Sequence, residues 1–203
     1  MTEVLMNSKD VMSVLAETGA IREGHFKLPN GEHTNYYFQM PLALRYFNYA
    51  RRLSVGLSRL LRLVPQVAAQ LPKISIVGAS TGGIPVSYGV REALQADQIM
   101  WAEGGREGQL RFRQYDEVQK GENCVLVDDL ILSGRTMKSL ISLVKNAGGK
   151  ILAIGVIADP KIAPLDFGDI PFVRLIDIPT LHFPNGQACT LCKETGAPTT
   201  VEW

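Results

Sequence analysis

The run Asn123-Cys-Val-Leu-Val-Asp-Asp-Leu-Ile-Leu-Ser-Gly-Arg-Thr-Met137 constrains the fold more than any other stretch of the chain. Cys124 to Val127 are consecutive apolar residues, which suits a strand buried on both faces of a parallel sheet. Asp128 and Asp129 stand where that strand is expected to end. Leu132 to Thr136 forms a small loop, and from Met137 the spacing of Leu140, Ile141 and Val144 predicts a helix. A strand, an acid pair, a hydroxyl- and glycine-bearing turn and a helix N-terminus together make a phosphate-sugar site. Backbone N–H groups at the helix start attract an anion. Gly134 lets the backbone come close, and Ser133 and Thr136 add hydroxyl donors. The two carboxylates repel phosphate, so they must serve another part of the ligand. Vicinal ribose hydroxyls are natural donors to them. The plainer reading is an ordinary strand–turn–helix with an acidic cap, and the coincidence of strand, acids and loop argues against it.

A second stretch repeats the scheme. Ile74 to Val77 predicts a strand, Ala79-Ser80-Thr81-Gly82-Gly83 a loop of small residues, and Val86, Val90 and Leu94 a helix. One glycine-rich turn is a weak signal. Two of them after separate strands are more specific, because open α/β sheets bind ligands at the carboxyl ends of their strands. Further strands are expected at 97–102, 151–158 and 172–176. Helices are expected after Ser8 or Asp10, closed by Gly19; over 45–64, with Arg51, Arg52, Arg59 and Arg62 on a solvated face; and over 138–147, stopped by Gly148-Gly149. Residues 65–72 read as a connector. The alternation of strands and helices predicts an α/β fold with a central, mostly parallel sheet flanked by helices.

Pro29-Asn30-Gly31 is a turn signal between Phe26 and Leu28 on one side and Tyr36 to Phe38 on the other, so a hairpin is expected near the N-terminus. Tyr36 and Tyr37 offer aromatic faces to a flat base, although adjacent tyrosines more often serve strand packing. Glu103 to Gln109, with three glycines, reads as a flexible loop, and 110–115 as an edge hairpin. In the tail, Cys189-x-x-Cys192 supplies two soft ligands and His182 a weak third, whereas a structural zinc site wants four. The 203 residues suffice for one domain, with a hood at about 19–44 and a tail at 181–203. A net charge of +1 suggests neither a nucleic-acid nor a membrane partner. No apolar run is long enough for a bilayer, and the N-terminus lacks a basic segment followed by an apolar core. Three cysteines make no disulfide framework, so a cytoplasmic protein with reduced thiols is expected.

The Asn123–Met137 run resembles the signature of type I phosphoribosyltransferases, whose shared ligand is phosphoribosyl pyrophosphate (PRPP). The resemblance implies that Asp128 and Asp129 hold the ribose hydroxyls and that Leu130, Ile131, Leu132, Ser133, Gly134, Arg135 and Thr136 form the ribose-phosphate site. It implies that Ala79 to Gly83 binds pyrophosphate. From about Gly19 to Pro198 the chain resembles orotate phosphoribosyltransferases, through Gly24, His25, Phe26, Leu28, Gly31, Thr34 and the tyrosines, through Val77-Gly78 with Gly82-Gly83-Ile84, and through the Cys-x-x-Cys tail of the short-loop branch. The family's turn lysine is replaced by Pro29, which leaves Lys27 as the nearby candidate. Arg106 is the cation of the loop that closes over PRPP in that family. Leu132 stands where a base-contacting threonine is usual, and Pro160 where a base-contacting arginine is usual, with Lys161 beside it.

The resemblance thus implies magnesium-dependent transfer of the ribosyl phosphate of PRPP to a nitrogen base, orotate first, in a homodimer. Asp128, Asp129 and Arg106 would carry the chemistry, and Lys27, Tyr36, Tyr37 and Lys161 would surround the base. The two departures on the base side leave open a transferase for another base, or a PRPP-binding regulator that has lost catalysis.

Overall fold

The computed structural model describes residues 6–104, 109–113, 117–184 and 188–202. Its larger sheet has the order β5-β4-β3-β6-β7-β8, built from β3 (Ser75–Ala79), β4 (Gln98–Gly104), β5 (Leu110–Arg111), β6 (Asn123–Leu130), β7 (Lys150–Asp159) and β8 (Phe172–Asp177). All neighbours are parallel except β5, which runs antiparallel to β4 at the edge. Side chains alternate across a strand, and here the alternation feeds two cores. Ile76, Val125, Val127, Ala153 and Ile157 face one, with α1 (Ser8–Glu17), α3 (Phe47–Arg62) and α5 (Gly83–Leu94). Val77, Cys124, Leu126, Ile154 and Val156 face the other, with α6 (Arg135–Asn146). Continuous apolar runs such as Cys124–Val127 follow from burial on both faces.

Several local expectations shift. α1 is capped by Asn7, whose side chain accepts from the N–H groups of Lys9 and Asp10, while Asp10 accepts from the Asn7 N–H. The helix expected over 45–64 starts at Phe47 and is preceded by a short α2 (Pro41–Leu44). The expected connector holds α4 (Pro65–Gln70), with proline in its first turn and Val67 buried beneath it. Strand β6 does not stop before the acids. It runs on to Leu130, because Asp128 pairs with Val156 and Leu130 with Ala158 of β7.

The smaller sheet has the order β10-β1-β2-β9. β1 (Ile21–Lys27) and β2 (His33–Phe38) form the expected antiparallel hairpin, turned at Gly31 with φ +86°. Its two edges come from the C-terminal part of the chain: β9 (His182–Phe183) pairs with β2, and β10 (Thr199–Thr200) pairs with β1. Asn35 fastens the entry to β9, donating its N–H to the Leu181 carbonyl and accepting the Leu181 N–H on its side chain. Between these edges lies a short helix α7 (Thr190–Glu194). No described helix is long and apolar enough to cross a membrane.

Candidate active site

The loop after β6 leads directly into α6. Gly134, at φ +74°, supplies the left-handed turn that starts the helix, and no side chain caps it. The first N–H groups of α6 therefore point at the cleft rather than at a capping oxygen. That cleft, roughly 500 Å³, is lined by Asp128, Leu130 to Met137, Ser139 and, from β5, Leu110. Ser133 and Thr136 are exposed on it. A helix N-terminus, a glycine and two hydroxyls in one concave surface form a seat for a phosphate.

The second loop approaches the acid pair from β3. Ser80 donates its N–H to the Ala102 carbonyl, and the Ser80–Thr81 peptide bond is cis. Ser87 donates to the Gly83 carbonyl, anchoring the loop where α5 begins. A Cβ on Gly82 would lie 2.3 Å from Asp129 Oδ2, and one on Gly83 would lie 3.3 Å from Asp128 Oδ1. The glycines thus let this backbone stand directly beside the carboxylates. Asp128 is held well above the ordinary carboxylate value, first by burial and then by the charge of Asp129, and burial also raises Asp129. Among the described residues no cation pairs with either acid. Two acids crowded this way, with no counter-charge, favour hydroxyl donors and cations brought by a ligand.

A second cavity, about 300 Å³, lies between the β6–α6 loop and the hood. Its walls include Leu28, Thr34, Tyr36 and Phe38 from the hairpin, Leu130, Leu132, Ser133 and Arg135 from the loop, and Ile162, Ala163, Thr180 and His182 from later segments. Leu130, Leu132, Ser133 and Arg135 line both cavities. The rings of Tyr36 and Phe38 stand side by side, 6.2 Å between centroids. Glu32 also lines this cavity and accepts from His182 Nε2 at 2.9 Å; burial pushes its carboxyl up, but the hydrogen bonds from His182 and Asn30, with the nearby Arg135 guanidinium, bring it below its ordinary value.

The residues expected around the base divide. Tyr36 and Tyr37 both line the cavity, but the Tyr37 ring points to the other face of β2. It packs on Phe26 and Val201, carries the Arg22 guanidinium over its face, and its hydroxyl donates to the Glu202 carbonyl at 2.7 Å. Alternation along β2 makes it impossible for adjacent tyrosines to present their rings to the same side. Lys27 is exposed on β1, next to β10, and is not a wall of the cavity. Lys161, at φ +58°, reaches Asp159 Oδ2 at 3.0 Å and Asp177 at 3.6 Å, where Arg174 also pairs with both acids. It is held in that ion network beside a neighbouring depression, not in the base cavity. His182 bonds to Glu32 and stands apart from the two cysteines as a metal ligand. The histidines that approach Cys189 and Cys192 are His25 and His33. Arg106 lies outside the described residues.

Sequence reasoning missed Glu32, Ile162, Ala163 and Thr180. They come from separate segments and share no local pattern. The backbone pairing of Asn35 with Leu181 is what brings Thr180 and His182 to the hairpin.

These two glycine-bearing loops at the carboxyl edge of a parallel sheet, with an acid pair between them, agree with the family comparison: residues 73–183 match the model described as a phosphoribosyl transferase domain, and the chain belongs to that family. Within it, orotate phosphoribosyltransferase of Heliobacterium modesticaldum is 32% identical over 193 residues, covering 95% of this chain and 96% of its own length. The orotate phosphoribosyltransferase of Thermotoga petrophila is 31% identical over 184 residues, 91% and 92% of the two chains. The crystal structure of orotate phosphoribosyltransferase from Aeropyrum pernix superposes with a TM-score of 0.66 at 19% identity, over 83% of this chain and 93% of that one, and so shares the fold.

Proposed function

We propose that this chain transfers the ribosyl phosphate of PRPP to a ring nitrogen of orotate, giving orotidine 5′-phosphate and pyrophosphate. The observation that carries the reading is the placement of Asp128 and Asp129 between the β6–α6 phosphate seat and the 79–83 loop. In this reading Leu132 to Thr136 holds the 5′-phosphate, and the acids accept the ribose hydroxyls. The bond from the ribose anomeric carbon to the pyrophosphate oxygen breaks as the base nitrogen forms its own bond to that carbon. Positive charge grows on the ribose in the transition state, and the nearby carboxylates stabilise it while fixing the ring's orientation. Ala79 to Gly83 receives the departing pyrophosphate through backbone N–H groups.

Magnesium, arriving with PRPP and held beside Asp128 and Asp129, would supply positive charge to offset the negative charge developing on the pyrophosphate. The acid pair suits a magnesium–PRPP complex, because the two carboxylates are crowded together and lack a protein cation among the described residues. Tyr36 covers one face of the base, and Arg135 offers a cation to a carboxylate on it. Arg106, outside the described residues, is assigned to the closing loop. The whole chain acts as one catalytic unit in a cytoplasmic homodimer. The 74% exposed Phe47, at a groove shared by α3 and α5, supports a surface for a second copy.

A transferase for another base is the second reading, favoured by the apolar wall that Leu132, Ile162 and Ala163 give the base cavity. The deciding experiment is magnesium-dependent loss of orotate absorbance in the presence of PRPP, beside a combined Asp128→Asn and Asp129→Asn control. Turnover abolished in the control supports orotate. No turnover, with PRPP still raising the thermal midpoint, removes orotate and directs the assay to other bases.

A further inference from the structure

We propose that His25, His33, Cys189 and Cys192 bind one zinc ion that fastens the C-terminal tail onto the hood. The four come from three separate segments. His25 lies on β1, His33 on β2, and the cysteines at the start of α7. All four candidate ligand atoms lie within 4.8 Å of one another.

The separations fit a tetrahedral ion. Zn–N bonds near 2.05 Å and Zn–S bonds near 2.3 Å place tetrahedral ligands about 3.3 Å apart for two nitrogens, about 3.6 Å for nitrogen and sulfur, and about 3.8 Å for two sulfurs. Here His25 Nε2 lies 3.1 Å from His33 Nδ1. Cys189 Sγ lies 3.5 Å from His25 Nε2, and Cys192 Sγ lies 3.7 Å from it and 3.4 Å from His33 Nδ1. A hydrogen-bonded chain requires only successive close approaches. Here Cys192 Sγ and His33 Nδ1 both surround His25 Nε2 and also approach each other, as the corners of a coordination polyhedron do.

The surroundings orient the ligands. The other nitrogen of His25 lies 3.0 Å from the Gly196 carbonyl, so Nδ1 carries the proton and Nε2 presents its lone pair to the cluster. A ligating histidine is commonly held in its tautomer by such a backbone bond. The β1–β2 pairing passes from Glu23–Tyr36 to Phe26–Thr34, so Gly24 and His25 stand against Asn35 alone. This bulge breaks the alternation of β1 and leaves both His25 and Phe26 buried. Charge also balances: two thiolates and two neutral imidazoles neutralise a divalent ion, whereas one lone ion or one lone thiolate would be costly in so buried a place. With four protein ligands and no open position, the site is structural. It also lies on a different wall of the hairpin from Tyr36, so it does not depend on the proposed reaction.

The test uses the full-length chain purified without chelator. Elemental analysis is expected to give about one zinc per chain. After removal of zinc, cobalt(II) should produce the intense visible bands of a tetrahedral ion and a near-ultraviolet thiolate-to-metal band. Cys192→Ser should lower that thiolate band by about half per bound cobalt, and His182→Ala should leave it unchanged. Should Cys192→Ser fail to fold, the wild-type cobalt spectrum and His182→Ala still decide. Metal-free chain that gives only the weak bands of six-coordinate cobalt, or that carries a Cys189–Cys192 disulfide as isolated, overturns the proposal. So does a spectrum altered by loss of His182.

Discussion

The two cavities share a wall but are built on opposite principles. The phosphate cleft is almost entirely one contiguous segment, Asp128 to Met137, made of backbone, short hydroxyls and carboxylates at the end of a buried strand. The hood cavity is gathered from the β1–β2 hairpin, the β6–α6 loop, residues 162–163 and residues 180–182, and its walls are mainly large side chains. A contiguous site is set by local geometry: move the strand and the whole site moves with it. A gathered site depends on the hood staying registered on the main sheet. Changes to the first should therefore strike the chemistry common to the whole family, and changes to the second should strike the choice of base.

The largest effect is expected from the combined Asp128→Asn and Asp129→Asn change, which should lower kcat/KM by about 10³-fold or more, as expected when preorganised electrostatic partners of a transition state are removed. Steady-state kinetics at saturating PRPP check it. The same carboxylates should oppose folding stability. Asp128 in the folded chain titrates above its ordinary value of 3.8, chiefly through burial. Between the unfolded and folded values, the folded state holds a proton that the unfolded state has lost, so stability falls as pH rises from about that ordinary value through the raised one. Asp128→Asn should accordingly raise the thermal midpoint at neutral pH, with the gain disappearing as pH drops below the ordinary carboxylate value. A midpoint lowered at neutral pH would mean that the acid pair is stabilised in the free protein, contrary to its burial with no cation among the described residues.

Gly82→Ala should come next. The new Cβ would sit 2.3 Å from Asp129 Oδ2, so the carboxylate or the loop must shift. A displacement of about 1 Å at a reacting centre costs on the order of 10²-fold in rate. Both kcat and the KM for PRPP should suffer, with little change in the KM for the base. A defect confined to the base would break the division between the two cavities.

How much of this was legible in the sequence follows the same division. The apolar run Cys124–Val127, the acids and Gly134 announced a strand, a ligand site and a turn because each depends on neighbours in the chain. The strand's true end did not, because Asp128 and Leu130 stay in the sheet only through pairing with β7. Asn7 was missed as the cap because the residues beside it, Ser8 and Asp10, are equally plausible in isolation. In the hood, the Pro29-Asn30-Gly31 turn was readable, but its edge strands β9 and β10 were not. Each is two residues long and exists only by pairing with a hairpin more than a hundred positions away. The same distance hid the approach of His25 and His33 to the cysteines and made His182, nearer in sequence, the apparent third ligand. Lys161 was drawn toward the base by its place beside Pro160, whereas Asp159 and Asp177 hold its ammonium elsewhere.

The smallest and sharpest contrast lies between neighbouring tyrosines. Tyr36→Ala removes an aromatic face from the base cavity, and the KM for the base should rise about tenfold, within the roughly 1–3 kcal/mol of a base–aromatic stack. The KM for PRPP should stay near its starting value, because Tyr36 is not a wall of the phosphate cleft. Tyr37→Phe keeps the ring on Phe26 and Val201 but removes the hydroxyl that donates to Glu202. Losing that bond should cost about 1 kcal/mol of stability, visible in denaturant unfolding, with no change in the KM for the base. If Tyr37→Phe instead weakened the base and Tyr36→Ala did not, the rings would have to exchange sides of β2 when ligand binds. That requires the hairpin to slip by one residue against both β1 and β9, and such a slip would break the Asn35 bonds to Leu181 that tie the tail to the hood.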